Sequence, residues 1–228
     1  MKIGIAQINP IVGDFKGNAK RILEAYRACI EAGAELVVTP ELSLVGYPAG
    51  DLVLKKRFVE QCNQALDYIA DETGEVGLLV GHIDINYYET SAKLGKSYHN
   101  SASLLYSGAV RGTVHKTLLP SCDVYDEHQY FEPSSSCKPL EFKGVKLGVT
   151  ICEDLWCDEI IQRPIHDRNP VEELKEKGAE VLINMSASSF QIGKPQFKAN
   201  LLEVFACGSG LPVVYCNAVG GNDQLIFD

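Results

Sequence analysis

Gly148-Val149-Thr150-Ile151-Cys152-Glu153-Asp154-Leu155-Trp156 closes an apolar run that begins at Val145. A short apolar run bounded by charge reads as a buried strand. This one stops at a thiol, and two carboxylates follow at once. Neighbouring carboxylates oppose thiolate formation. Cys152 is therefore either an inert cysteine at a strand end or a nucleophile served by a cation from elsewhere in the chain.

Working outward, strand-like runs recur at Ile3–Ile8, Leu36–Thr39, Val76–Gly81, Ser101–Tyr106, Val110–His115, Val181–Asn184 and Val213–Asn217. Helical periods lie between several of them. Asn18–Ala32 carries Ile22, Ala25, Tyr26, Cys29 and Ile30 on one face, and Gly33 follows as a stop. Phe58–Asp71 repeats the period, Pro170 opens a short helix to Lys177, and Gln196–Cys207 ends before Gly208. Ser101–Tyr106 and Val110–His115 form a hairpin through Ser107-Gly108. Strands alternating with helices predict an α/β layered fold. The stretch Asn86–His99 reads as an insertion. A weak echo links KIGIAQ at Lys2 with KLGVTI at Lys146, and GAELVV at Gly33 with GAEVLI at Gly178. Two matches at nearly one offset point to two related βαβ halves.

Composition narrows the function classes. The chain has 228 residues, 46% of them hydrophobic, and a net charge of −9. An acidic balance argues against nucleic acid as a partner, because phosphate binding needs a basic surface. No apolar run approaches the ~18 residues of a membrane span, and the N-terminal stretch lacks a signal-peptide pattern. Eight irregularly spaced cysteines without a secretion signal read as reduced thiols, which predicts a cytoplasmic protein. No C-x-x-C pair and no paired-histidine spacing predicts a metal site.

In α/β sheets, functional side chains gather past the carboxyl ends of strands. Those positions hold Glu41 after Leu36–Thr39, Lys116 after Val110–His115, and Cys152 after Val145–Ile151. Singly, each has a bland reading: a solvated acid, a surface lysine, a core cysteine. Together they form a kit for amide chemistry. The ammonium favours the thiolate, the carboxylate carries the thiol proton to a leaving amine, and the lysine with a backbone N–H faces the oxyanion.

PELSLVGYPAGDL, HKTLLP…VYDEHQYF, GVTICEDLW, INMSASSFQIGK and LPVVYCNAVGGNDQLIFD resemble, in order along the whole chain, the nitrilase-like carbon–nitrogen hydrolase superfamily. More narrowly they resemble the glutaminase domain of glutamine-dependent NAD synthetases. The resemblance implies a four-layer α-β-β-α sandwich and a homo-oligomer. It implies Glu41 as general base, Lys116 as oxyanion-stabilising lysine, Cys152 as nucleophile and Glu127 as a second glutamate that orients the lysine. It implies that Tyr47, Glu153, Ser188 and Lys194 hold L-glutamine. The charges suit an amino acid, with Glu153 for the α-ammonium and Lys194 with Ser188 for the α-carboxylate. Ammonia released from glutamine serves, in that family, a synthetase domain that amidates deamido-NAD with ATP and Mg. The glutaminase domain itself needs no cofactor.

Two departures qualify the match. Leu119–Glu127 places Cys122 where the family commonly has an aromatic, which bears on pocket closure and ammonia channelling. The chain also lacks the S-G-G-x-D-S pyrophosphate loop of a synthetase domain and any P-loop. Residues 1–228 therefore read as one hydrolase domain, cut from a longer chain whose synthetase domain lies downstream. The alternatives are a stand-alone amidase for another small amide and a non-catalytic assembly module. Glu153 beside the nucleophile raises the thiol pKa until an ammonium pairs with it. The apparent pKa of Cys152 is accordingly expected to fall when a glutamine analogue binds; a thiol titration giving one value with and without the analogue would count against this.

Overall fold

The structure, a computed structural model, describes residues 1–87, 95–121, 125–155 and 167–228. Leu36, Val37 and Val38 are wholly buried and form β2 (Leu36–Val38), parallel to both β1 (Ile3–Ile5) and β3 (Gly77–Ile85). Antiparallel strands β4 (Tyr98–Tyr106) and β5 (Ala109–His115) complete a five-stranded sheet in the order β1-β2-β3-β4-β5. A second sheet runs β6 (Leu140–Phe142), β7 (Val145–Ile151), β8 (Val181–Ser186), β9 (Val213–Asn217), with the last three parallel. A hairpin of β10 (Gly220–Asn222) and β11 (Leu225–Phe227) follows.

The period of two in these strands builds the layers. Leu36, Val38, Leu79 and Leu104 of the first sheet meet Phe142, Leu147, Val149, Ile151, Ile183 and Met185 of the second. The alternate residues Val37, Leu78 and Val80 face the other way, onto Ile22 and Tyr26 of α1 (Phe15–Glu31) and Val59, Leu66 and Ile69 of α2 (Lys56–Asp71). On the far side Leu182 packs with Val171 of α3 (Pro170–Glu176) and with Leu201 and Phe205 of α4 (Lys194–Ser209). The order of layers is α-β-β-α, as expected. Each fully buried aliphatic side chain contributes about 1.5–3 kcal/mol.

Boundaries differ from expectation for identifiable reasons. Helix α1 begins at Phe15 because Asp14 caps it, accepting from Gly17 N at 2.9 Å. Asn18, expected near the start, lies inside the helix and is wholly buried. Its amide donates to Ile11 O (2.8 Å) and Leu44 O (3.1 Å), tying the helix to the loop after Glu41. Strands β3 and β4 run into the polar residues His82, Asp84, His99 and Asn100, which obscured their extent. Of the expected insertion Asn86–His99, residues 88–94 lie outside the described residues, and Tyr98 and His99 already belong to β4. Strands β6, β10 and β11, three residues each, are too short to show a period.

The internal echo has a structural counterpart. Glu35 N donates to Lys2 O (2.8 Å) and Glu180 N to Lys146 O (2.9 Å). Lys2 N and Lys146 N donate back to the carboxylates of Glu35 (2.7 Å) and Glu180 (2.9 Å). Gly33 and Gly178 both end their helices at φ 83°. The units β1-α1-β2 and β7-α3-β8 thus share one local plan, one in each sheet.

The turn after β2 rests directly on β3. A Cβ at Gly81 would stand 2.4 Å from Leu42 N and 2.5 Å from Pro40 O, both backbone atoms that cannot yield. Gly81 N also donates to Ser43 Oγ (3.2 Å), and Leu44 N to Gly81 O (3.0 Å). Gly81→Ala is expected to destabilise the fold by about 1–3 kcal/mol; urea unfolding with an unchanged midpoint would contradict this close approach.

Candidate active site

Glu41, Lys116 and Glu127 are brought together from the end of β2, the end of β5 and the short 3-10 turn Glu127–Gln129. All three are buried. Lys116 Nζ stands 2.7 Å from Glu41 Oε1 and 2.7 Å from Glu127 Oε1. Asn100 Nδ2, on β4, donates to Glu41 Oε1 (2.8 Å) and Glu127 Oε2 (3.1 Å). Tyr47 Oη donates to Glu127 Oε1 (2.7 Å), and Ala187 N to Glu41 Oε2 (3.1 Å). Three buried charges are thereby almost fully hydrogen-bonded, the condition under which a buried ionic cluster is tolerated.

Cys152 follows β7 and opens a 3-10 turn, Cys152–Leu155, at φ 43°. That left-handed backbone costs a non-glycine residue about 1–2 kcal/mol. Two neighbours hold it. Asn184 Nδ2, on β8, donates to Cys152 O (3.4 Å) and to Thr150 Oγ1 (3.0 Å). Asp154 accepts from Ile151 N at 3.0 Å. The turn leaves the partly buried thiol within the fields of Glu41, Lys116, Glu153 and Glu127.

The electrostatics bear on the opening question. Burial pulls the Lys116 ammonium toward neutrality, but Glu127 and Glu41 outweigh it and hold its pKa well above the ordinary lysine value. Burial pushes Glu41 up to about 7, against the pull of Lys116 and with a further push from Glu127. Burial, then Glu41, push the Cys152 thiol well above its usual range; Lys116 pulls it down and is outweighed, and Glu153 adds to the rise. Lys116 thus acts on the thiol in the expected direction, but burial and the carboxylates outweigh it. Burial is the largest cause of the rise, with Glu41 next.

The other residues singled out from sequence surround this cluster. Tyr47 is buried and committed to Glu127. Glu153 follows the thiol and is partly buried. Ser188 N donates to Asn217 Oδ1 (2.8 Å), and Asn217 Nδ2 returns a bond to Ser188 O (3.0 Å). Lys194 is the first residue of α4, with Nζ 3.5 Å from Ser189 Oγ. Burial lowers its pKa, while Cys152 and Glu153 act in the opposite sense. Cys122 lies outside the described residues, as does Trp156. Sequence reasoning missed Asn100, Asp154, Asn184 and Tyr215. Tyr215 lines a narrow cleft beside Cys152 with Leu155, Lys198 and Leu201. An asparagine inside a strand, where that residue is depleted, was the available signal for Asn100 and Asn184.

Among the described residues no group of three or more His, Cys, Asp or Glu side chains is arranged to hold a metal ion, and no helix is long and apolar enough to cross a membrane. The site's chemistry is that of a thiol, a carboxylate with a pKa near neutrality and a fixed cation.

Comparison with known proteins bears on the family and the fold. The chain is 39% identical to a glutamine-dependent NAD(+) synthetase of Synechocystis sp., over 99% of this chain and 41% of that protein. It is 35% identical to the Thermotoga maritima protein of the same name, over 100% of this chain and 37% of that one. The chain thus spans well under half the length of these curated relatives. The structure of glutamine-dependent NAD+ synthetase from Acinetobacter baumannii in complex with adenosine diphosphate superposes with a TM-score of 0.87 at 30% identity, over 99% of this chain and 40% of that one. An amidase from Nesterenkonia sp. shares the fold, with a TM-score of 0.81 at 23% identity over 100% of this chain and 80% of that one. The carbon–nitrogen hydrolase profile matches residues 2–227, nearly the entire length. With the sandwich, the clustered acid, lysine and thiol, and that match in hand, the chain belongs to the carbon–nitrogen hydrolase family.

Proposed function

We propose that this domain hydrolyses the side-chain amide of L-glutamine through a thioester at Cys152. The observation that carries the reading is the buried Lys116 ammonium, 2.7 Å from both Glu41 and Glu127, with the Cys152 thiol in the same field. Glu41 takes the Sγ proton as sulfur attacks the amide carbon. The carbonyl π pair moves onto oxygen, which faces Lys116 and the backbone N–H of Glu153. As the C–N bond breaks, Glu41 returns the proton to nitrogen and ammonia leaves. Water then attacks the thioester, giving up a proton to Glu41. Glutamate departs and the proton passes back to sulfur.

Glu127 acts in this scheme by holding the lysine, and Tyr47, which the resemblance assigns to glutamine binding, also donates to Glu127. Glu153, Ser188 and Lys194 hold the amino acid: Glu153 takes the ammonium, and Lys194 with Ser188 the carboxylate. Glu153 raises the thiol pKa in the resting site, so pairing with the substrate ammonium relieves that opposition. The relatives' name and their greater length support a larger role. In it, residues 1–228 are the ammonia-producing part of a cytoplasmic, oligomeric NAD synthetase. A second domain in the parent chain would use ATP and Mg to amidate deamido-NAD. The hydrolase domain itself works without a cofactor.

A glutaminase assay tests the reading. Cys152→Ala is expected to lower kcat by on the order of 10⁴-fold or more. A panel of small amides tests the substrate; faster turnover of another amide would replace glutamine with that compound and favour a stand-alone amidase. The acid dependence follows from Glu41. The base must be ionised to accept the thiol proton, so kcat/KM is expected to rise as pH increases through about 7. Because Glu41's folded pKa lies above its unfolded value, its contribution to stability has the opposite sense. That contribution is present at low pH and lost as pH rises through about 7. Glu41→Gln is expected to cost about 10²–10⁴-fold in kcat, and a pH–rate profile that keeps the same acid limb in that variant would assign the limb to another group.

A further inference from the structure

The thiol and the lysine belong to different sheets. Lys116 follows β5 in the first and Cys152 follows β7 in the second. Asp154 joins them. Its Oδ1 accepts from Thr117 N (2.9 Å) and Leu118 N (2.8 Å), the two residues after Lys116. Its Oδ2 accepts from Ile151 N (3.0 Å), the residue before Cys152. The carboxylate is buried, and it sits on the same 3-10 turn as the thiol, two residues away. We propose that Asp154 is a positioning residue, a clasp that fixes the Lys116 segment to the nucleophile turn and so sets the distance between ammonium and sulfur.

Three features make the assignment specific. All three partners are backbone N–H donors, so the contact is indifferent to their side chains and depends on the carboxylate alone. Only an ionised carboxylate offers acceptors toward both segments; asparagine would turn an N–H₂ toward one set of donors. The second tie between the sheets at the site, Ala187 N to Glu41 Oε2, aligns the base, so each sheet-one group that serves the thiol is held from sheet two. Burial raises the Asp154 pKa to about 6, while the N–H groups of Leu118 and Ile151, the Lys116 ammonium and the N–H of Thr117 pull it down. The clasp is thus complete at neutral pH and loosens as acid protonates it.

The inference rests on the amide-hydrolysis reading, and the test separates the two. In the full chain, Asp154→Asn is expected to lower kcat about 30-fold or more, since misplacement near 1 Å costs on the order of 10²-fold. KM should stay within about threefold, because the residues proposed to bind substrate are untouched. Hydrogen exchange followed on the same protein should show faster exchange at Thr117 and Leu118, with β3 and β4 amides still protected. Unchanged kcat in a folded variant with accelerated exchange would overturn the positioning role, as would loss of KM alone. If the variant fails to fold, the wild-type protein decides. Slow exchange at Thr117 and Leu118 supports the clasp, and exchange at open-loop rates overturns it. A wild-type chain that hydrolyses no amide would refute the proposed function, yet its exchange rates would still report on the clasp.

Discussion

A lysine ammonium buried between two carboxylates organises this molecule. Withdrawing each ion from water costs several kcal/mol, and the mutual attraction offsets that only when the remaining donors and acceptors are filled. Asn100, Tyr47 and the backbone of Ala187 do the filling. They come from β4, from the loop beyond the Glu41 turn and from the segment after β8, so satisfying one cation commits three separate parts of the chain. The close contact of Gly81 with the Glu41 turn belongs to the same economy of space. A glutamate resting on bare strand backbone has little freedom to withdraw from its partner.

The same cluster decides how the thiol behaves. A free ammonium beside Cys152 would lower its pKa, yet Lys116 is already shared between two acids and its pull is outweighed. Burial and the surrounding carboxylates hold the thiol well above its usual range, and Glu41, pushed up to about 7 by burial, lies in the same field. The left-handed backbone of Cys152, held by Asn184 and Asp154, fixes the turn on which the sulfur is carried.

Much of the architecture was legible because buried strands such as Val145–Ile151 and Val181–Ser186 write themselves as mostly apolar stretches, broken only by Lys146, Thr150, Asn184 and Ser186. The helices showed their periods and several of their ends, at Gly33, Asp71 and Pro170, but not the start of α1. Asp14 as a cap and Asn18 as a buried tie look alike in sequence, since both are small polar residues near a helix start. The strand ends supplied Glu41, Lys116 and Cys152; the first and last follow parallel strands, where the cue is strong, while Lys116 follows the antiparallel β5. Asn100 and Asp154 escaped notice for physical reasons. Asn100 sits among polar residues whose alternation hides which face is buried. Asp154 follows Glu153, and two adjacent acids give no sign that one is solvent-facing in part while the other accepts three backbone bonds. The resemblance to a known family added the roles of Glu127, Tyr47, Ser188 and Lys194, for which spacing alone offered no argument.

Division of the working groups between two stacked sheets carries a consequence for how the protein fails. Sheets joined face to face by aliphatic side chains can slide by a fraction of a residue step without breaking a single ladder bond. Such slippage would part sulfur from ammonium long before any strand unravelled. The proposed amide hydrolysis would then be a far finer gauge of interlayer alignment than circular dichroism, lost under mild denaturant or heat while the secondary structure still reads as native.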